Sequence, residues 1–229
     1  MNPEPLAGRS MSRRKFLKAA GIVLGSAVVI GTGLTVLDDS QKGSTISMLD
    51  STFGGNNMSQ RILVTYASQA GSTAGVAEAI AKSLAAAGST VDLRPVKEVT
   101  DLSAYQAVVI GSAVHSGKWM PEATAFVRRN QARLRQMPTA IFQVCMMLAS
   151  SNEQYRSMVP TWLDPLREEL RPVSAGSFSG AILLDHYPKL TDKLGLKIFL
   201  ATVKIKEGDY RDWDAVQSWS EHLRPLLMN

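Results

Sequence analysis

Small residues and hydroxyls crowd one short stretch, Ser68-Gln69-Ala70-Gly71-Ser72-Thr73, which lies between a strand-like run and a helical pattern. Small side chains let the backbone approach a ligand closely, and hydroxyls donate hydrogen bonds. A helix beginning immediately afterwards adds unpaired N–H groups and the positive end of its dipole. The combination is a phosphate cradle, or more plainly a hydroxyl cap on a helix. It lacks the Gly-Lys-Ser/Thr ending of a nucleotide-hydrolysing loop and the Gly-x-Gly-x-x-Gly of a dinucleotide loop. A phosphate monoester held without a metal is the better match. Two other stretches hold chemistry-bearing residues, Gly111–Trp119 and Val144–Ser150. Metal ligation finds no support, because the histidines are only His115, His186 and His222 and no two stand at ligand spacing. Cys145, the single cysteine, excludes a disulfide framework and an iron–sulfur cluster.

The elements that must position these stretches are legible as an alternation. Strand-like runs fall at Ile62–Tyr66, Val91–Leu93, Ala107–Ile110, Ala140–Val144 and Ser179–Leu184. Helical patterns lie between them at Ser72–Ala87, Pro121–Arg135 and within Gln154–Leu170, and a closing helix spans Trp213–Leu223. Val76, Ala77, Ile80 and Leu84 make the apolar stripe of the first helix, with Glu78 and Lys82 four apart on its outer face. Parallel neighbours need crossover connections, so this order predicts a doubly wound α/β sandwich, a five-stranded parallel sheet with helices on both faces. In such sheets ligands bind beyond the carboxyl ends of the strands, where all three stretches fall. Tyr187–Gly208 is long for a plain connection.

The chain of 229 residues is 45 % apolar and 20 % charged, a balance that can bury a core. Its formal charge of +5 is concentrated at the head: residues 1–37 carry five basic groups and one acidic, and residues 38–229 carry 20 basic and 19 acidic. A contiguous basic surface for nucleic acid therefore has no compositional support. Ser12-Arg13-Arg14-Lys15-Phe16-Leu17-Lys18 precedes an uncharged run, Ala19–Leu37, and then Asp38 and Asp39. The heptapeptide resembles the twin-arginine export signal, which implies the export machinery as a partner. The run at about 1.5 Å per residue is long enough to reach across a bilayer of ~30 Å. Either fate puts the body on the non-cytoplasmic face. The division expected is 1–37 signal or membrane anchor, 38–57 flexible tether and 58–229 body, with Met58 as an alternative start for a cytosolic form.

Ser68-x-x-Gly71-x-Thr73 directly after an apolar strand resembles the FMN phosphate loop of flavodoxins. The resemblance covers about residues 61–229 and implies that Ser68, Gln69, Ala70, Gly71, Ser72 and Thr73 wrap the FMN phosphate. A flavin ring is apolar on its faces and polar along one edge. Ser112, Ala113, Val114, His115 and Gly117 would present backbone groups, Lys118 a positive charge, and Trp119 either a stacking wall or core packing. His115 is also a candidate proton donor. Met146, Met147 and Leu148 would close the other side or fill the core, and Cys145 is expected to be buried. Within flavodoxin-like proteins the sequence is similar to the menaquinone-dependent protoporphyrinogen oxidase group, through Val109–Gly117, Phe126–Ala140 and Gly180–Leu183 with Tyr187-Pro188. That group passes electrons from a substrate through FMN to a membrane quinone. At the second loop this sequence reads His-Ser-Gly-Lys-Trp where that group carries an arginine and tyrosines, which leaves porphyrin specificity open. Leu194–Val203, apolar with interspersed lysines, suits either a membrane surface or a covered helix. An electron carrier without a substrate of its own and a flavin-free scaffold are the alternative functions.

Overall fold

A computed structural model of the chain describes residues 49–55, 61–186 and 190–228. The strands are β1 (Ser51–Phe53), β2 (Arg61–Ala67), β3 (Thr90–Pro95), β4 (Ala107–His115), β5 (Lys118–Trp119), β6 (Thr139–Val144), β7 (Ser174–Phe178), β8 (Ala181–Ile182) and β9 (Gly208–Asp209). The α-helices are α1 (Ser72–Ala86), α2 (Pro121–Leu134), α3 (Glu153–Met158), α4 (Asp164–Leu170), α5 (Leu190–Val203) and α6 (Trp213–Leu227). The main sheet runs β1-β3-β2-β4-β6-β7, with β5 hairpinned onto β4. All pairs from β3 to β7 along this path are parallel, as crossovers by α1, α2 and the α3–α4 segment require. The alternation read from the sequence is thus the architecture.

The sheet is covered on both faces. Val76, Ile80 and Leu84 of α1 and Val216, Leu223 and Leu227 of α6 close over Ile62, Val64 and Phe142 on one side. On the other, Phe126 and Val127 of α2 and Leu166 and Leu170 of α4 close over Leu63, Val108 and Ile141. A third, smaller cluster lies past the carboxyl ends of β4 and β6, where Leu196, Phe199, Leu200 and Val203 of α5 meet Met147, Val159 and Ile182. No helix among the described residues is long and apolar enough to cross a membrane. The expected signal and apolar run, residues 12–37, lie outside the described residues.

Three expectations are corrected. The fifth strand of the sheet is β7, Ser174–Phe178, and not Ser179–Leu184. An edge strand needs little apolar sequence of its own when aromatic rings cover it. Phe142, Phe178 and Trp219 pack with centroids 5.5–6.2 Å apart. A methyl at Gly176 would stand 2.9 Å from the Phe178 ring and 3.1 Å from Trp219. The more apolar Ala181-Ile182 forms a ribbon with Gly208-Asp209 that closes the neck of the excursion carrying α5. Second, the helix expected within Gln154–Leu170 is split into α3, a 3-10 turn at Val159–Leu163 and α4, because Pro160 and Pro165 cannot donate to a continuous ladder. Third, the tether expected over residues 38–57 contains the strand β1, which pairs antiparallel with β3.

β1 is held by a buried carboxylate. Asp92, fully buried, accepts hydrogen bonds from Thr52 Oγ1 and Tyr105 Oη, both at 2.8 Å, and from Arg61 Nη2 at 2.8 Å. Burial alone would raise the Asp92 pKa, but these hydrogen bonds and the Arg61 charge hold it below the usual carboxylate value. The stabilisation is therefore fully present above the ordinary Asp pKa of about 3.9 and is lost as pH falls through the lower native value. Asp92→Ala, which removes the shared acceptor of Thr52, Tyr105 and Arg61, is expected to cost about 1–3 kcal/mol in urea unfolding at neutral pH. Asp92→Asn should flatten the loss of stability on acidification below about pH 4. An unchanged acid limb would refute this role.

Candidate functional site

The register places the three expected loops side by side. Ala67 at the end of β2 pairs with Ser112 of β4, and Ala113 pairs with Val144 at the end of β6. At the first loop the chain leaves β2 and turns into α1 through Gly71, whose φ of 79° lies in the left-handed region that glycine adopts without strain. Gly71 is the N-cap, and no side chain caps it, so the plain reading of the loop as a hydroxyl cap is corrected. The first-turn N–H groups of α1 therefore stay open to a ligand. Charge points the same way: α2, α3, α4 and α6 carry Glu122, Glu153, Asp164 and Asp214 in their first turns, and α1 carries no acidic residue there. Its dipole is left for an anion supplied from outside. Ser68, Ala70, Gly71 and Ser72 are half-buried, Gln69 is exposed and Thr73 is buried.

Sequence reasoning missed the residues that brace this loop. Ser72 Oγ accepts the Ala181 N–H of β8 at 2.8 Å, which leaves its own hydroxyl hydrogen to donate elsewhere. Gly180 permits the approach, since a methyl there would stand 2.9 Å from Ser72 Oγ. The His186 Nδ1–H donates to the Ala70 carbonyl at 3.0 Å. Arg211, held by Asp209 (Nε to Oδ1 2.8 Å) and stacked 4.6 Å over Trp213, lies against the next turn of α1, where a methyl on Gly75 would be 2.6 Å from its Nη1. The only sequence signal for these is the short spacing of Asp209, Arg211 and Trp213 ahead of the last helix.

At the second loop β4 continues through His115, and Ser116 and Gly117, with φ of 49° and 72°, form the turn into β5. Positive φ at both central positions suits a tight two-residue hairpin. Ser112, expected to present its backbone, also engages its side chain. It is buried, and its hydroxyl accepts from the Met120 N–H at 2.9 Å and donates to the Ala113 carbonyl at 2.8 Å, so it latches the hairpin. Trp119 is corrected as an open wall: it is 7 % exposed and packed in the α2-side core, and its indole N–H is buried without a partner. Ala113 and Val114 are half-buried, Gly117 is buried, and His115 and Lys118 are exposed cross-strand neighbours. Desolvation lowers the His115 pKa below the usual histidine value, with Glu122 opposing.

The third loop is a 3-10 turn, Met146–Ala149. Met147 is corrected from slot to core filler at 3 % exposure, leaving half-buried Met146 and Leu148 as its apolar surface. Cys145 is buried as expected, and burial pushes its thiol up to about 12.

A phosphate-bearing ring system fits this donor set. The site offers open N–H groups and hydroxyls at one loop, apolar side chains at another, and a backbone turn with a lysine at the third. No group of His, Cys, Asp and Glu side chains among the described residues could hold a metal ion. The fold is of the doubly wound α/β class, with the three loops gathered at the carboxyl edge of its sheet.

Comparison with known proteins agrees. The flavodoxin domain family matches residues 63–209. The chain belongs to that family, which indicates a flavin as its cofactor. Protoporphyrinogen IX dehydrogenase [quinone] of Escherichia coli (strain K12) is 23 % identical over 176 residues, covering 72 % of this chain and 96 % of the relative. Among solved structures, two-electron reduced Megasphaera elsdenii flavodoxin is similar with a TM-score of 0.41 and 15 % identity, over 58 % of this chain and 95 % of that one. Oxidised Flavodoxin 2 from Bacillus cereus gives 0.40 and 16 %, over 72 % and 98 %. The Flv1 flavodiiron core of Synechocystis sp. PCC6803 gives 0.45 and 12 %, over 74 % of this chain, which spans only 37 % of that longer one.

A thiol with its pKa pushed to about 12 and no solvent access is inert. Cys145 is expected to resist iodoacetamide in the folded protein at pH 8 and to react fully in denaturant, read by mass spectrometry. Rapid labelling of the native chain would contradict its placement.

Proposed function

We propose that the chain is an FMN-binding oxidoreductase that takes electrons from a small organic substrate and passes them toward a quinone. The observation that carries this reading is the uncapped, acid-free N-terminus of α1 behind Gly71 at the carboxyl end of β2. The loop Ser68–Thr73 contains no lysine or arginine, so N–H groups and hydroxyls would bear the phosphate, which suits one monoester rather than a pyrophosphate. FMN, when bound, supplies redox chemistry that no side chain here can perform.

The chain's own residues supply placement. Ser68 and Thr73 would donate to the phosphate beside the N–H groups of residues 68–73, and His186 and Ser72 keep the loop fixed from the β8 side. Met146, Leu148 and Val114 offer the apolar slot, and the Ala113–Gly117 backbone offers donors for a polar ring edge. Lys118 would favour negative charge on that edge. His115 can donate or accept one proton at the mouth of the site.

The quinone as acceptor is supported by the Escherichia coli relative, a protoporphyrinogen IX dehydrogenase [quinone]. The near-neutral body, 20 basic and 19 acidic residues over 38–229, contrasts with the strong acidity by which carrier flavodoxins meet basic partners. We place the body on the non-cytoplasmic side of a membrane, through the Ser12–Lys18 motif and the apolar run to Leu37, with a cytosolic form if translation starts at Met58.

The full chain with added FMN should quench flavin fluorescence and acquire a protein-bound flavin spectrum. Ser68→Ala combined with Thr73→Ala should weaken FMN binding by about 1–3 kcal/mol. Unchanged affinity would remove those hydroxyls from the phosphate site, and absence of any flavin uptake would overturn the redox reading. Anaerobic mixing of the holoprotein with protoporphyrinogen and quinones should yield turnover with at least one pair. Exchange with a redox protein and with nothing else would favour the carrier.

A further inference from the structure

α5 is apolar on two opposite faces. Leu196, Phe199, Leu200 and Val203 point inward and seal the third core cluster. Leu190, Leu194 and Ile198, four residues apart, point outward with exposures of 81 %, 59 % and 52 %. These three are half of the six exposed large hydrophobic residues among those described, and they stand in one row on one helix. A helix that serves only as cover for a core keeps its outer face polar. A contiguous apolar row instead marks a surface that something covers.

We propose that α5 is a membrane-docking helix, lying in the plane of an anionic bilayer with Leu190, Leu194 and Ile198 seated at the headgroup–acyl boundary. This rests on the reading above of a flavoprotein that delivers electrons to a membrane quinone. The helix has 14 residues, about 21 Å at 1.5 Å each, too short to cross ~30 Å of hydrocarbon and suited to lying on it.

Charge identifies the occupant. Residues 187–206 contain five lysines and one aspartate, a net +4, whereas the rest of 38–229, with 15 basic and 18 acidic residues, nets −3. At 100° per residue, exposed Lys197 borders one side of the apolar row and exposed Thr191 and Thr202 border the other, while exposed Lys204 follows the helix end in a left-handed turn. Basic residues beside an inserted apolar face bind anionic headgroups. A second copy docking through the same face would bring Lys197 and Lys204 against their own counterparts, which like-charge repulsion opposes.

Placement agrees. The third cluster fixes α5 on the 3-10 turn after β6, and Ser150 Oγ donates to the Val203 carbonyl at 3.5 Å, so the helix sits at the sheet end that carries the flavin loops. Leu49, through which the N-terminal sequence joins the body, donates its N–H to Tyr66 Oη at 2.7 Å and accepts from it at 3.1 Å. Tyr66 is the penultimate residue of β2, so Leu49 and the α5 row lie toward the same end of the sheet. A lipid-borne quinone would then meet the flavin loops without leaving the membrane.

The test labels the full chain with an environment-sensitive fluorophore at Leu194→Cys and, separately, at Ile198→Cys, with Ser103→Cys as an exposed control; buried Cys145 does not compete. The proteins are reconstituted with phosphatidylcholine vesicles, with and without phosphatidylglycerol. Probes at 194 and 198 should shift to shorter wavelength and be quenched by spin-labelled lipid in anionic vesicles, and the probe at 103 should not. Lys197→Gln with Lys204→Gln should shift docking toward the free state by on the order of tenfold. Water-like emission at 194 and 198 in flavin-loaded, vesicle-bound protein overturns the proposal. So does a blue shift without lipid quenching that grows with protein concentration, which would mean a second copy. A sample lacking bound flavin, read by absorbance in the same cuvette, reports failure of the flavin reading instead.

Discussion

The site depends on a helix that begins without a cap. Gly71 turns the chain in the left-handed region, contributes no side chain, and leaves the first-turn N–H groups of α1 facing out of the sheet's carboxyl edge. Two other long helices are started differently: Pro121 opens α2 with Glu122 behind it, and Asp212 caps α6 by accepting the Ala215 N–H at 2.9 Å. In those elements the chain satisfies or compensates its own donors. At α1 the chain leaves those donors uncompensated, and the proposed phosphate site rests on this local incompleteness.

An open helix end is useful only if it is held still, and the excursion between β7 and α6 does this. Its ribbon neck, Ala181-Ile182 against Gly208-Asp209, brings both ends of the inserted segment together. From that neck Ala181 bonds Ser72, His186 bonds the Ala70 carbonyl and Arg211 lies along Gly75. The same excursion carries α5, whose inner face covers the loop after β6. One insertion thus braces the phosphate side of the site, roofs the neighbouring loop and presents an apolar row to the outside. These three roles are mechanically coupled through a single short ribbon.

Burial has sorted the candidate residues. Trp119 and Met147 have the sizes and shapes a ring pocket could use, yet both are taken up by cores, and the Ser112 hydroxyl is taken up by the β4–β5 turn. Those left with accessible surface are the plainer ones: Val114, Met146 and Leu148, and the backbone of the hairpin. A flat apolar ring held mainly by backbone and aliphatic contacts needs little from any single side chain. Sequence position alone therefore places the three loops at one edge of the sheet but does not say which of their side chains stay accessible.

What the sequence by itself determined is the alternation of strand and helix, the turn at Ser68–Thr73 between β2 and α1, and the near-neutrality of the body, because each is written in the order of a few neighbouring residues or in composition. Contacts between distant segments were decided only by the fold. Ser72 meets Ala181 across 109 positions and Ala70 meets His186 across 116, and no local periodicity records such a meeting. The edge strand Ser174–Phe178 has little apolar sequence and is covered by Trp219, while the apolar Ala181-Ile182, expected within the fifth strand, belongs to the neck. Likewise the apolar sequence of α5 left a covered and an exposed helix equally open, and packing assigned one face to each. Local patterns set what an element is; which of its faces meets protein depends on where the rest of the chain comes to lie.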